Sequence, residues 1–306
     1  MWHGFLVINK ERGMTSHQVI ACLRRILGQT QIGHSGTLDP EATGVLVVGL
    51  GEATRSFQFL NEEKKVYRGE IILGQSTDTQ DATGAVLTQK TDFLLTLAEI
   101  QNAIRNLTGE IEQIPPMYSA VKVKGKKLYE IARTGQEIPR PSRKITVRQW
   151  TVLNPQPNYQ FKDSIFCEID CSKGTYIRTL IHDLGANLNC GAHMGELTRL
   201  ASGFFMLDRA LTLTEVQEVL ELGKLKEKII PINQALNHLP TITLADEDIS
   251  KVKNGGKLSY YRYQVAVNIS EPIKIVNDDS LIAIAELKEE NDHRYWQPVK
   301  VFHLEA

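Results

Sequence analysis

The order of the predicted elements favours an α+β fold over a doubly wound parallel sheet. Strand-like apolar stretches and helices with apolar residues three and four apart both occur, but they do not alternate regularly along the chain. After Pro231 and Pro240 the pattern changes to short strand-like runs. We therefore expect a second, small β-rich domain from about Pro240, preceded by a helical linker.

Strands are predicted where β-branched and apolar residues run together or alternate with polar ones. In the larger, N-terminal part these stretches are Phe5–Ile8, Val45–Gly49, Val66–Leu73, Val147–Val152 and Ile165–Cys171. In the C-terminal part they are Gln264–Ile269, Ile273–Val276, Leu281–Glu286 and Gln297–Phe302.

Two helices are predicted from capping boxes, in which a threonine is followed three residues later by Glu or Gln. Thr96 and Glu99 precede one apolar stripe, and Gly109 follows it as a C-terminal stop. Thr214 and Gln217 are predicted to start a later helix in the same way. Both helices have one apolar face and therefore pack on a core.

A third helix is predicted to begin near Thr175. Apolar residues recur on one side of it, and Arg178 falls in its first turn. The apolar positions are Ile177, Leu180, Ile181, Leu184 and Leu188.

Length and composition indicate an ordinary globular protein. The chain has 306 residues, of which 42% are hydrophobic and 23% charged, enough for two domains. The apolar run Gly44–Leu50 is far too short to span a bilayer, so no membrane association is expected. Near the N-terminus, Phe5–Ile8 is followed at once by Lys10, Glu11 and Arg12, which is unlike a signal peptide. We expect a cytoplasmic protein.

Charge is unevenly distributed although the net charge is only −1. Residues 118–148 contain nine basic and two acidic side chains, whereas residues 211–306 contain eleven basic and fifteen acidic ones. One dense basic segment in a nearly neutral chain suits a localised contact with a polyanion. A solvated basic loop is the alternative.

Three of the four cysteines form, with His193, a C-x3-C-x18-C-x2-H pattern that suggests zinc. Cys167 and Cys171 lie on a predicted strand, however, where residues four apart are separated by about 13 Å. Two thiolates on one zinc ion lie within about 4.6 Å of each other. Cysteines in the core of a protein from a reducing compartment are therefore favoured, and no metal is expected.

The glycine-rich stretch Gly33–Gly44 invites a catalytic interpretation. Around Ser35 it resembles the hydrolase pattern G-x-S-x-G, but Thr37 stands where the last glycine belongs. No phosphate-loop or dinucleotide motif is present. Spacing alone leaves Asp39 open between an aspartate in a turn and a catalytic carboxylate.

The same stretch, Gly33-His34-x-Gly36-x-Leu38-Asp39-Pro40-x-Ala42-Thr43-Gly44-Val45-Leu46, resembles the catalytic motif of the TruB family of bacterial tRNA pseudouridine-55 synthases. One departure is Glu11, where the family usually has proline. Further blocks with the same resemblance are Gly51-Glu52-Ala53-Thr54, Lys65-Val66-Tyr67-Arg68, Leu73-Gly74-x-x-Thr77-Asp78-Thr79-x-Asp81-Ala82-x-Gly84, Gln113-x-Pro115-Pro116-x-Tyr118-Ser119-Ala120-x-Lys122, Gly125-x-x-Leu128-Tyr129-x-x-Ala132-Arg133-x-Gly135, Cys171-Ser172-Lys173-Gly174-Thr175-Tyr176-Ile177-Arg178, Gly191-Ala192-His193 and Leu197-x-Arg199.

The resemblance implies a pseudouridine synthase fold over residues 1–236, with a mixed, largely antiparallel curved sheet flanked by helices. Residues 118–148 are similar to a basic RNA-binding insertion of the family. Residues 240–306 are similar to a small, β-rich PUA-like RNA-binding domain. A purely structural end domain is the alternative for this acidic segment.

The implied activity is isomerisation of uridine, in which the N1–C1′ bond breaks and a C5–C1′ bond forms. Asp39 matches the catalytic nucleophile or base, Arg178 the arginine that pairs with it, and Tyr67 the tyrosine that stacks on the target base. No group is imported and nothing is oxidised, so no cofactor is expected. The order in which Asp39 makes its bonds is left open.

The implied substrate is tRNA, bound through its T-arm with uridine 55 flipped out of the T-loop. We expect a monomer without a small-molecule cofactor; a non-catalytic tRNA-binding or tRNA-folding protein is the alternative. The residues matched to substrate binding are His34, Gly36, Tyr176, Leu197, Arg199, Lys122, Lys126 and Lys127. Further cations expected to meet phosphates are Lys124, Arg133, Arg140, Arg143 and Lys144.

Overall fold

A computed structural model describes residues 1–119, 121–123, 125–132 and 134–304, with the backbone alone at residues 122, 126, 127 and 129. The described chain forms two compact units. The first comprises Met1–Pro40, Gly44–Asn61 and Gly203–Ala306, and the second comprises Glu41–Thr43 and Glu62–Ser202.

The elements are numbered in chain order. The strands are β1 (Gly4–Lys10), β2 (Ile32–Ser35), β3 (Thr43–Leu50), β4 (Lys65–Leu73), β5 (Gln75–Thr77), β6 (Val86–Gln89), β7 (Leu95–Thr96), β8 (Gly109–Gln113), β9 (Lys122–Val123), β10 (Lys126–Lys127), β11 (Arg143–Val152), β12 (Asn158–Tyr159), β13 (Ser164–Cys171), β14 (Ala192–Ser202), β15 (Phe205–Met206), β16 (Thr241–Thr243), β17 (Leu258–Ser259), β18 (Pro272–Asn277), β19 (Ser280–Glu290) and β20 (His293–Val301). The α-helices are α1 (Ser16–Leu27), α2 (Leu97–Asn106), α3 (Leu128–Ala132), α4 (Ile177–Asn187), α5 (Leu213–Glu221), α6 (Leu225–Lys228), α7 (Ile232–Ala235) and α8 (Asp246–Lys253).

In the first unit, β3 pairs antiparallel with both β1 and β2. Its apolar run is continuous because both faces of the strand are covered. Val45 and Val47 belong to one core cluster, and Leu46 and Val48 belong to another that includes residues of α1. A strand buried on both faces needs apolar side chains at every position, which explains the run seen in the sequence.

The C-terminal sheet of the first unit has the order β16-β18-β19-β20-β17. Ala283 and Ala285 of β19 face a core local to this sheet, whereas Ile284 and, after β20, Phe302 join the cluster that contains Phe5 of β1. The C-terminal sheet therefore completes a core that β1 and β3 share.

A buried lysine of the C-terminal sheet forms hydrogen bonds to the segment around α7. The ammonium group of Lys274, on β18, donates to the carbonyl oxygen of Asn233 at 3.2 Å, to its Oδ1 at 2.8 Å and to Oδ1 of Asn237 at 3.0 Å. Burial lowers the pKa of Lys274. The helical segment around α7 is thereby tied to the C-terminal sheet.

In the second unit the sheet runs β14-β4-β13-β11-β8, and each of these strands pairs antiparallel with its neighbours. Helix α4 buries Leu180, Ile181 and Leu184 against this unit's core. Gly185 of α4 lies so close to the backbone of Ala192 that a Cβ atom there would overlap it. A glycine is therefore required where α4 crosses the start of β14.

The predicted α+β class is confirmed, as are the strands predicted in the N-terminal part and the start of α4 at Ile177. The capping box of Thr96 and Glu99 is also confirmed. Helix α2 ends at Asn106, however, and Gly109 begins β8 instead of terminating the helix directly. The division into residues 1–236 and 240–306 stays a prediction.

Two predicted elements were wrong. Residues 264–269 form no strand, although Val265 and Val267 pack partly buried on the C-terminal core. Helix α5 is capped by Thr212 and Glu215, not by Thr214 and Gln217. The reason lies in Leu211, which exchanges backbone hydrogen bonds with β1 and so keeps the chain extended up to Thr212.

Among the residues that the structure describes, no helix combines the length and the apolar character needed to cross a membrane.

We expect Phe302→Ala to lower the free energy of unfolding by about 3–5 kcal/mol, because it removes a fully buried aromatic ring and leaves a cavity. Hydrogen exchange should accelerate in β1 and β3 as well as in the C-terminal strands. The control is Ile269→Ala, at a position 57% exposed, which should cost no more than about 0.5 kcal/mol. Acceleration confined to residues 240–304 would contradict the shared core.

We expect iodoacetamide at pH 8 to modify Cys22 well before the other three cysteines. Burial raises the pKa of the Cys167 and Cys171 thiols to about 12 and also raises that of Cys190, so all three stay protonated and shielded. Cys22 is only partly buried. Mass spectrometry would locate the label, with urea-unfolded protein as the control. Equal labelling of all four in the native protein would refute the burial argument.

Candidate active site

The turn that carries Asp39 follows β2 in the first unit. Gly36 adopts a φ of 67°, a left-handed conformation that favours glycine at this turn. Leu38 is buried, and Asp39 beside it is half-buried. The side chain of Ser16, at the start of α1, accepts from Leu38 N–H at 3.0 Å and donates to the Leu38 carbonyl at 3.2 Å. The backbone next to Asp39 is therefore fixed from α1.

A second anchor holds Pro40, the residue after Asp39. The ammonium group of Lys10 is 1% exposed and donates to the carbonyl oxygens of Glu11, Met14 and Pro40 at 2.7–2.9 Å. Gly13 N–H donates to the same Pro40 oxygen at 2.9 Å. These hydrogen bonds close the turn at Glu11 against Pro40.

His34 lies on β2, four residues before Leu38 in the same glycine-rich stretch. Its ring meets the ring of His17 edge to face, with 5.3 Å between centroids and an interplanar angle of 85°. His17 is the second residue of α1 and is exposed. One short segment of α1 therefore contacts both His34 and the turn of Asp39.

Arg178, in the first turn of α4, is 5% exposed in the second unit. Its guanidinium donates to the carbonyl oxygen of Tyr118 at 2.6 Å and to that of Thr79 at 3.5 Å. It also lies 3.7 Å from a carboxylate oxygen of Asp81. These contacts limit the directions in which the guanidinium can face.

The sequence did not single out Asp81, which is the acidic partner of Arg178 within the second unit. Its other carboxylate oxygen accepts from Thr79 Oγ1 at 2.7 Å, Thr83 N–H at 3.0 Å and Thr83 Oγ1 at 2.6 Å. The signal was present in the block Thr77 to Gly84, because threonines two residues on either side of an aspartate are typical of a turn built around its carboxylate.

Tyr67 lies on β4, between β13 and β14 in the second unit's sheet. Its register partners are Ile169 on β13 and Arg199 on β14. Arg199 is buried at 1% exposure, and Leu197, which faces Gly69, is buried as well. The structure thus brings Tyr67, Leu197 and Arg199 to one part of the sheet.

Tyr176 directly precedes α4 and is half-buried. The guanidinium carbon of Arg143 lies 4.7 Å from its ring centre, and that of Arg178 lies 5.8 Å from it. Its backbone N–H and carbonyl are both bonded to the buried side chain of Gln113. Gln113 and Arg143 therefore hold Tyr176 in contact with Arg178.

Several roles that the sequence predicts for these residues stay predictions. Asp39 and His34 belong to the first unit, and Tyr67 and Arg178 belong to the second, so the pairing of Asp39 with Arg178 stays a prediction. Arg140 pairs with Glu137 at 2.8 Å. The side chains of Lys122, Lys126 and Lys127, together with Lys124 and Arg133, lie outside the described residues.

The cysteine pattern does not form a cluster of metal ligands within the part of the chain that the structure describes. Cys167 and Cys171 are buried on β13, and their thiols are protonated because burial raises their pKa to about 12. His193 accepts or donates one hydrogen bond at 3.1 Å with the carbonyl of Gln75. The prediction of core cysteines is confirmed.

Comparison with known proteins gives consistent matches over the whole chain. Residues 24–177 match the model of the TruB family pseudouridylate synthase (N terminal domain), and residues 178–237 match the tRNA pseudouridylate synthase B C-terminal domain. A tRNA pseudouridine synthase B of Geobacillus thermodenitrificans (strain NG80-2) is 42% identical over 301 residues, covering 98% of this chain and 99% of the relative. One from Bacillus anthracis is 44% identical over 254 residues, covering 82% and 83%.

Solved structures agree with the sequence matches. A chain in a crystal structure of a Cbf5-Nop10-Gar1 complex aligns with a TM-score of 0.75 and 28% identity, over 98% of this chain and 85% of that one. A chain in an H/ACA RNP bound to a substrate RNA containing 2′-deoxyuridine aligns with a TM-score of 0.74 and 25% identity, over 99% and 86%.

Fold and sequence together define a pseudouridylate synthase, an isomerase. The chain belongs to the TruB family, whose models match residues 24–237 and whose relatives reach 42% identity over 98% of its length. The resemblance drawn from the motif around Asp39 is confirmed.

We expect Ser16→Ala to lower the rate constant of the reaction at saturating RNA, because the backbone beside Asp39 loses both side-chain hydrogen bonds. The control is Ser56→Ala, which removes another fully buried hydroxyl, bonded to the carbonyl of Ala53 at 2.8 Å. Each variant should lose about 1–3 kcal/mol of stability. An equal rate loss in both variants would contradict a specific role of Ser16.

Proposed function

We propose that this chain converts uridine 55 in the T-loop of tRNA to pseudouridine. The observation that carries the proposal is its match, over 98% of its length, to a relative named tRNA pseudouridine synthase B. The reaction breaks the N1–C1′ bond of the nucleoside, turns the freed base and forms a C5–C1′ bond. The C5 proton is then released to water and N1 takes up a proton from water, so atoms balance without a co-reactant.

Asp39 is proposed as the catalytic carboxylate and Arg178 as its partner. A carboxylate covered by a nucleobase loses water, which favours its neutral, protonated form unless a cation lies nearby, and only the ionised form can act as the nucleophile or base. Arginine suits that role because it stays charged and presents two parallel N–H groups. The contacts of Arg178 with Asp81, Thr79 and Tyr118 support this, since they keep the guanidinium buried and oriented.

The flipped base is proposed to stack on Tyr67, with Tyr176, Leu197 and Arg199 lining the pocket. Extrusion of a base costs a few kcal/mol, and aromatic stacking offsets part of that cost. His34 and the turn at Gly36 are proposed to contact the T-loop that the base has left. The edge-to-face contact of His17 supports this role, because it restricts the orientation of the His34 ring.

The basic insertion, residues 118–148, is proposed to close over the T-arm and to bind phosphates through its lysines and arginines. Its excess of basic residues supports this, and affinity should then fall as salt rises. We further propose a monomer that works in the cytoplasm. Four free cysteines support a reducing compartment.

The test supplies tRNA labelled with tritium at C5 of its uridines and follows release of tritium to water. The wild-type protein should release label from one uridine, and Asp39→Ala should bind tRNA but release none. Asp39→Asn keeps the shape of the side chain and should also be inactive, which separates loss of charge from loss of packing.

A tRNA in which position 55 is cytidine serves as the substrate control and should release no label. Tight binding without release by the wild-type protein would support a non-catalytic tRNA-binding protein and overturn the proposal. Turnover by Asp39→Ala would overturn only the role of Asp39. Release from a different uridine would correct the position.

A further inference from the structure

We infer that Gln113 and Arg143, which face each other at the base of the basic insertion, are positioning residues that hold Tyr176 and, with it, the guanidinium of Arg178. The inference rests on the proposed function, because it concerns how that site is kept ready for the uridine. It also assigns the insertion a second role, as a support of the catalytic helix in addition to a surface for RNA.

The first support is the amide of Gln113. Its Nε2 donates to the Tyr176 carbonyl at 3.0 Å, and its Oε1 accepts from Tyr176 N–H at 2.8 Å. The side chain therefore replaces the two backbone bonds that a neighbouring strand would make. Gln113 is 1% exposed, so it has no surface with which to bind RNA.

The second support is the guanidinium of Arg143. It lies over the Tyr176 ring at 4.7 Å and donates to the carbonyl oxygen of Gly174. A guanidinium over a ring is attracted by its negative face, and the planar group can do this while it also donates a hydrogen bond. Arg143 thus fixes the ring of Tyr176, whereas Gln113 fixes its backbone.

The two supports lie together because β8, which precedes the insertion, pairs with β11, which begins within it. Gln113 is the last residue of β8, Arg143 is the first of β11, and they are direct register partners. The chain between them, residues 114–142, contains most of the basic insertion. A displacement of the insertion therefore acts first on this pair.

The insertion also reaches Arg178 directly. The carbonyl oxygen of Tyr118 accepts from Arg178 at 2.6 Å, and the Arg178 guanidinium lies 5.8 Å from the Tyr176 ring. Arg178 is therefore held from the insertion on one side and from Tyr176 on another.

The test compares Gln113→Met and Arg143→Met with Gln149→Met in the full-length protein. Gln149 is an exposed residue of β11 outside the insertion, and its amide donates to Thr151 Oγ1 at 3.0 Å, so its variant makes the same substitution without removing a contact to Tyr176. Single-turnover rates at saturating tRNA and dissociation constants for tRNA are measured separately. Unfolding temperatures show that each variant is folded under the assay conditions.

We expect Gln113→Met and Arg143→Met to lower the saturated rate by about tenfold to a hundredfold, the loss typical of a displaced catalytic group. Gln113→Met should leave the dissociation constant unchanged. Gln149→Met should leave both the rate and the dissociation constant unchanged. Arg143→Lys should bind tRNA like the wild-type protein yet stay slow, because an ammonium group cannot stack and donate as the planar guanidinium does.

A wild-type rate for Arg143→Lys and for Gln113→Met would overturn the inference and leave Arg143 as a simple phosphate contact. A wild-type protein that releases no tritium would instead overturn the proposed function, so the two failures are distinguishable. Slow variants with unchanged affinity for tRNA would establish the positioning role.

Discussion

Burying an arginine is the constraint on which the second unit depends. A guanidinium stays charged in a protein, so the fold has to surround Arg178 with oxygen atoms when α4 begins inside the unit. Asp81 supplies a carboxylate, and Thr79 and Tyr118 supply carbonyls. These three acceptors come from two segments far apart in sequence, because Thr79 and Asp81 lie in one turn and Tyr118 lies in the basic insertion. The requirements of one side chain therefore connect the start of α4, the threonine-rich turn and the basic insertion.

Elsewhere in the molecule, buried lysine ammonium groups also hold separate segments together through hydrogen bonds. Lys10 joins three carbonyl oxygens around the turn of Asp39, and Lys274 joins the segment of α7 to the C-terminal sheet. In the second unit, Lys65 is bonded to Glu62 at 3.1 Å and to Ser202 at 2.6 Å, and burial is the main cause that lowers its pKa. A lysine donates three hydrogen bonds from one point, which suits it to hold converging loops. Of the three, Lys10 fixes backbone directly beside Asp39.

Sequence patterns predicted elements well where a local cause decides them. The capping box of Thr96 and Glu99 is such a case, because both partners lie within one helical turn. The prediction failed for α5, since Leu211 pairs with β1 and shifts the start to Thr212. It failed again at residues 264–269, where Val265 and Val267 pack on the core without forming a strand. The strand that pairs with β20 on this side is β17. An alternation of apolar and polar residues indicates that one face of the segment is buried. A β-strand also requires a neighbouring strand with which its backbone can form hydrogen bonds.

The sequence by itself determined the family, the α+β class and the identity of Asp39, Tyr67 and Arg178 as candidates. Those conclusions depend on residue types at fixed spacings, which remain visible without coordinates. Only the tertiary structure decided which groups support them: Ser16 beside Leu38, Asp81 beside Arg178, and Gln113 with Arg143 around Tyr176. The physical reason is that a hydrogen bond or a stacked cation requires two groups within a few ångströms, and spacing along the chain does not reveal which distant residues meet.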